Sequence, residues 1–184
     1  MCSGSFTPSA ERRSLSHCVQ FPRRYDLAVT LTLGHTSDRR PPFKFAAYTR
    51  VGFSDTDAQG IVYYGRYLPY FDFARVEYHR HLGLLVTDRG EHDFVMRAAS
   101  VLYEAPARFD DLLEVFIRTT RIGRTSVTSE FCAVRTDDDE LMCTAEQTLV
   151  LVDLAGRRPV PVSEGYRDAI AGFEGADVDV AVAR

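Results

Sequence analysis

The chain has no uninterrupted run of about 18 apolar residues, which excludes a membrane-spanning helix and leaves its longest apolar stretches suited to strands or one buried helix. Its four cysteines, Cys2, Cys18, Cys132 and Cys143, show no CxxC spacing and no nearby His in a metal-site pattern. Structural zinc and a disulfide framework are therefore weak readings, and a reduced, cytoplasmic setting is expected. If TDDD at 136–139 is a symmetric hairpin tip, Cys132 and Cys143 face one another, either able to bond or simply two small buried residues. Lys44 is the only lysine among 22 basic residues, a bias read as coding preference rather than mechanism. No secretory h-region or A-x-A-like site opens the chain, although the Arg and Ser content of its first residues faintly resembles a transit peptide.

Charge is unevenly split. Residues 1–44 carry net +4, so the overall −4 leaves the other 140 residues at −8. An acidic body argues against nucleic acid as a partner, and any phosphate site must be local. At 184 residues the chain is long enough for one domain with a real core and short for two.

Residues 1–42 are rich in Ser, Arg, Thr and Pro without periodicity and read as a disordered extension ending in SDRRPP. Order begins at Phe43, with a domain expected over 43–165 and a short helix and tail over 166–184. Phe45–Phe53 reads as a first strand. Tyr67, Phe71, Ala74, Tyr78 and Leu82 form one helical stripe. Pro69 fits only a first turn, which puts the helix start near Gly65 or Arg66, and Gly83 supplies the stop. Four β-rich runs follow, Phe94–Glu104, Leu112–Ile122, Thr125–Arg135 and Leu141–Asp153, joined by short hairpin connections. Ser163, Tyr166, Ile170 and Phe173 mark a final helix, and GADVDVAVAR reads as a tail. One helix packed on an antiparallel sheet is an α+β layer architecture, with a second face or edge left for another copy of the chain.

The informative stretch runs from Val51 to Gly83, where a strand ends in an acidic, Gly-containing loop that leads directly into an aromatic-faced helix. A helix start carries unpaired N–H groups and the positive end of its dipole, so it can hold negative charge developing on a carbonyl oxygen. An Asp just upstream can attack that carbonyl or activate water to do so. Carbonyl chemistry is the reading this arrangement favours. Asp55 and Asp57 together suggest Mg²⁺ only weakly, since no third acidic ligand is nearby, and no metal or cofactor is expected. No His lies between Val51 and Tyr78, which disfavours a hydratase or dehydratase built on a positioned imidazole.

DTDAQGIVYYGRYLPYFDFAR, with EAPARFDDLLEV, RIGRTS and LVDLAGRRPVPV, resembles the hotdog-fold acyl-CoA thioesterases of the 4-hydroxybenzoyl-CoA thioesterase and YbgC-like group, from about Phe45 to Ser163. The resemblance implies a five-stranded antiparallel sheet wrapped around one long central helix. It also implies a homodimer or homotetramer with active sites at the subunit interface, and an acyl-CoA substrate or its acyl-carrier-protein counterpart. By position, Asp57 matches the catalytic carboxylate, as nucleophile or general base, and Gly60 the turn that lets backbone approach substrate. Tyr64 falls where the family presents a backbone N–H to the thioester oxygen; many YbgC-like members have His there, so a side-chain role of that His is not carried over.

Asp55 keeps the role of turn former or helix cap. Asp72 falls where one branch of the family has a helix carboxylate at the acyl end, and is otherwise a solvated Asp in an early helical turn. Tyr67 belongs with Tyr63, Tyr64, Tyr70 and Phe71 to a cluster that serves as core or as acyl pocket. For the phosphates of CoA the candidates are Arg121, Arg124, Thr125 and Ser126, on a hairpin tip that could reach across a dimer interface. Set against hydrolysis is a non-catalytic acyl-CoA sensor or scaffold, which a thiol-release assay separates from an enzyme.

Overall fold

A computed structural model of the chain describes residues 33–85 and 90–181. The order is β1 (Gly34–Thr36), β2 (Phe45–Arg50), α1 (Tyr67–His81), β3 (His92–Tyr103), β4 (Leu112–Ile122), β5 (Ser126–Arg135), β6 (Leu141–Asp153), α2 (Glu164–Glu174) and β7 (Asp179–Val180). The sheet runs β1-β2-β4-β5-β6-β3, antiparallel throughout, with β7 added in parallel to β4. No described helix is long and apolar enough to cross a membrane.

Where the sequence predicts five strands, the described residues hold seven. The two additions come from segments read as tails. Residues 34–36, inside the extension expected to be disordered, pair with β2 through Gly34↔Ala47 to Thr36↔Phe45. Residues 179–180 pair with Arg121 and Ile122, because β2 follows β4 only as far as Ile117 and leaves the rest of that edge open. The larger part of the expected extension, residues 1–32, lies outside the described residues.

The stripe predicted for the helix is the face that α1 buries: Tyr67, Phe71, Ala74 and Tyr78 are all at most 2% exposed and Leu82 packs at the margin. The helix has 15 residues, shorter than expected, because Tyr64–Arg66 forms a 3₁₀ turn ahead of it. Gly83 ends it with φ at +70°, as Leu84 N–H reaches the His79 carbonyl at 2.8 Å and Gly83 N–H that of Arg80 at 3.2 Å. This paired closure at a left-handed residue is the Schellman ending that glycine permits.

Against α1 lie Phe45, Ala47, Leu113, Val115, Ile117, Phe131, Ala133, Met142 and Ala145. The opposite face of the sheet has its own small cluster, Ala46, Phe116, Cys132 and Val134, capped by Phe43. Both faces of β4 are thus covered, which accounts for its mixed pattern in the sequence. Cys132 and Cys143 do not face one another. A register shift between Ala133 and Val134 pairs Cys132 with Thr144 and Cys143 with Ala133, so the two thiols enter different clusters on opposite faces. The assumption of a symmetric tip fails at that bulge.

At the other end of the sheet, β3 is a 12-residue edge strand that no described residue pairs on its outer side. Val95, Met96, Leu102 and Tyr103 are exposed along it.

Candidate active site

The loop between β2 and α1 is fixed by Asp55. Its carboxylate accepts from Gly52 N–H (2.9 Å), from the Tyr70 hydroxyl (2.7 Å) and from Arg66 through Nε (2.7 Å) and Nη2. Its own carbonyl accepts from Tyr63 N–H at 2.9 Å. Burial pushes this carboxyl up, but the Tyr70, Gly52 and Arg66 donors outweigh it and hold the group below its ordinary value. Asp55 is therefore the staple between loop and helix start, in keeping with the structural role read for it.

Two residues on, the chain makes a tight turn. Asp57 N–H donates to the Ile61 carbonyl (2.9 Å), Gly60 N–H to the Asp57 carbonyl (3.0 Å), and Gln59 N–H to Asp57 Oδ1 (2.8 Å). Gly60 closes it at φ +75°, which a side chain would strain although nothing lies within 4 Å of its Cβ position. The next residues are tied down by Ile61↔Arg108 bridging and by Val62 N–H to the Ala107 carbonyl at 2.8 Å. The turn leaves Oδ2 of Asp57 without a partner among the described residues.

Asp57, Val62, Tyr64, Tyr67, Tyr103 and Glu104 line a cavity of about 350 Å³. Its floor is Tyr67, buried at 2% exposure, whose hydroxyl is raised to about 12, mainly by burial and further by Cys143. Its rim is Tyr64, 62% exposed, whose carbonyl accepts from the Tyr103 hydroxyl at 3.0 Å. At the same place the helix begins: Arg66 caps α1 without a side-chain hydrogen bond. Among the described residues the N–H groups of Tyr64 and Gly65 have no acceptor.

The fold thus brings Asp57, Tyr64 and Tyr67 together, with Gly60 shaping the turn beside them. It does not bring Asp72 there. That carboxylate faces Arg75 Nη2 at 3.0 Å and lines no part of the cavity. Arg121 near the end of β4, Arg124 and Thr125 in the β4–β5 connection and Ser126 at the start of β5 are also outside it within one chain. Tyr103 and Glu104 are in the cavity but do not stand out in the sequence; their one signal is the end of a strand immediately before Ala105-Pro106.

Residues 51–170 match the family model described as the Thioesterase-like superfamily. The acyl-CoA thioester hydrolase YbgC of Escherichia coli O6:H1 is 35% identical over 112 residues, 60% of this chain and 83% of that protein. The acyl-CoA thioesterase YbgC of Haemophilus influenzae is 31% identical over 119 residues, 63% of this chain and 86% of that one. Among solved structures, a 1,4-dihydroxy-2-naphthoyl-CoA thioesterase from Synechocystis superposes with a TM-score of 0.65 at 21% identity, covering 70% of this chain and 96% of that chain, which shows the shared fold. The chain belongs to the Thioesterase-like superfamily.

Proposed function

We propose that the chain hydrolyses acyl-CoA thioesters to the free acid and CoA. The observation that carries this reading is that Asp57 and Tyr64 line one cavity, while the Tyr64 N–H, in the 3₁₀ turn just ahead of α1, has no acceptor among the described residues. A thioester carbonyl seated there would have its oxygen held by the Tyr64 N–H, while the free Oδ2 of Asp57 attacks its carbon or deprotonates a water that does. The Gln59 N–H on Oδ1 orients the carboxylate for either route. The YbgC relatives, named as acyl-CoA thioesterases, support the substrate class.

A dehydratase of this kind usually relies on a positioned His, and no His lines this cavity among the described residues. His79 is engaged elsewhere, 3.0 Å from the Tyr166 hydroxyl, and is pushed down to about 4 by burial and by Arg75.

The working form is a dimer joined through β3. Its unpaired edge and exposed Val95, Met96 and Leu102 invite a second β3, and Tyr103 on the same edge would put the cavity at the seam. The test is thiol release over a panel of aliphatic and hydroxyaryl acyl-CoA thioesters. Turnover of any that is lost in Asp57→Asn supports hydrolysis; binding without release would make the chain a sensor.

A further inference from the structure

Arg167 is a buried charge that no carboxylate among the described residues answers. It sits on the buried face of α2 and is 4% exposed. Four of its five N–H donors end on main-chain carbonyls: Nε on Val162 (3.2 Å), Nη1 on Ala181 (3.3 Å), and Nη2 on Gly123 (2.7 Å) and Arg124 (3.2 Å). A buried guanidinium with no carboxylate partner among the described residues is retained only where its hydrogen bonds are worth keeping.

Two of those carbonyls belong to the β4–β5 turn, and other main-chain donors hold the turn as well. Val162 N–H reaches the Arg124 carbonyl at 2.9 Å, and Leu151 N–H reaches that of Thr125 at 2.8 Å. With its carbonyls drawn inward, the turn leaves the side chains of Arg121 and Arg124 exposed. Asp179, on β7, stands 3.6 Å from Arg121, both side chains largely in solvent at 71% and 65% exposure. Asp179 and Ala181 both fall outside the residues 51–170 that match the family model.

We propose that Arg167 is a positioning residue for phosphate recognition: it pins the β4–β5 turn so that Arg121 and Arg124 present a fixed cationic tip to the phosphates of CoA. Asp179 occupies Arg121 until a phosphate displaces it. The proposal rests on reading residues 121–126 as the CoA-binding turn. Arginine rather than lysine is required because only a planar fork reaches carbonyls on four residues at once.

The test is steady-state kinetics with the best acyl-CoA of the panel and with the N-acetylcysteamine thioester of the same acyl group, which has the same reacting bond and no phosphate. In the full chain, Arg124→Ala and Arg167→Met are expected to raise KM for the acyl-CoA about tenfold with kcat within about twofold, and to leave the short thioester unaffected. Arg167→Lys keeps the charge without the fork and should raise the same KM about threefold; it carries the comparison if Arg167→Met does not fold. An unchanged KM in Arg124→Ala removes the CoA reading of the turn. A raised KM in Arg124→Ala with none in the Arg167 variants overturns the positioning role, as does an equal loss on both thioesters.

Discussion

The Tyr70 hydroxyl donates to Oδ2 of Asp55 at 2.7 Å, joining the buried face of the central helix to the loop that precedes it. With Arg66 on the other oxygen, this contact decides where Asp57, two residues further on, is held. Tyr70→Phe leaves a buried carboxylate short of one donor and is expected to destabilise the fold by about 1–3 kcal/mol. Chemical denaturation measures it.

The pH dependence of that staple follows from its sign. Asp55 is depressed in the folded state, so its stabilisation is present above its ordinary value of 3.8 and is lost as pH falls through the lower folded value. The Tm advantage of wild type over Asp55→Asn should be full at neutral pH and shrink in acid below pH 3.8. Thermal melts of both proteins across that range check it.

Glu174 runs the opposite way. It is buried at 0% exposure, accepts from the Tyr78 hydroxyl at 2.6 Å and from Thr119 N–H at 3.1 Å, and is raised above 4.5 by burial despite those donors. A carboxyl raised on folding stabilises below its unfolded value and costs stability as pH climbs through the folded one. Glu174→Gln should therefore gain Tm relative to wild type as pH rises above 4.5, again read by thermal melts.

The exposed edge gives a test of assembly. Val95 and Met96 are 43% and 44% exposed on β3. Replacing both by Lys puts like charges across any self-paired edge and should convert a dimer to monomer in sedimentation equilibrium, with acyl-CoA hydrolysis falling in parallel. A wild-type monomer with full activity would contradict pairing through this strand.

Much of the fold is legible in the sequence because its elements are long and periodic. Leu112–Ile122 and Leu141–Asp153 emerge with the boundaries read from sequence, and the stripe from Tyr67 to Tyr78 is the face α1 buries. β1 and β7, three and two residues long, hold too little pattern to display a period, and each exists because a neighbouring strand offers an open edge. The facing of Cys132 and Cys143 expected from a symmetric hairpin does not occur, because a one-residue bulge changes register without changing composition. At the site, the acidic turn and helix start are visible as a local motif. Tyr103 and Glu104 are not, since they reach the cavity from 46 and 47 residues beyond Asp57, across the sheet. Arg167 gives no signal either: an Arg on a helix reads as solvated until the carbonyls around it are known.

What most directly tests the role of Asp57 is kcat for Asp57→Asn on an acyl-CoA that the wild type turns over, with Tm measured alongside. A fall of about 10² to 10⁴ at unchanged Tm is the expected result. Turnover within a few fold of wild type would contradict it and leave this carboxylate as a former of the turn at Gly60.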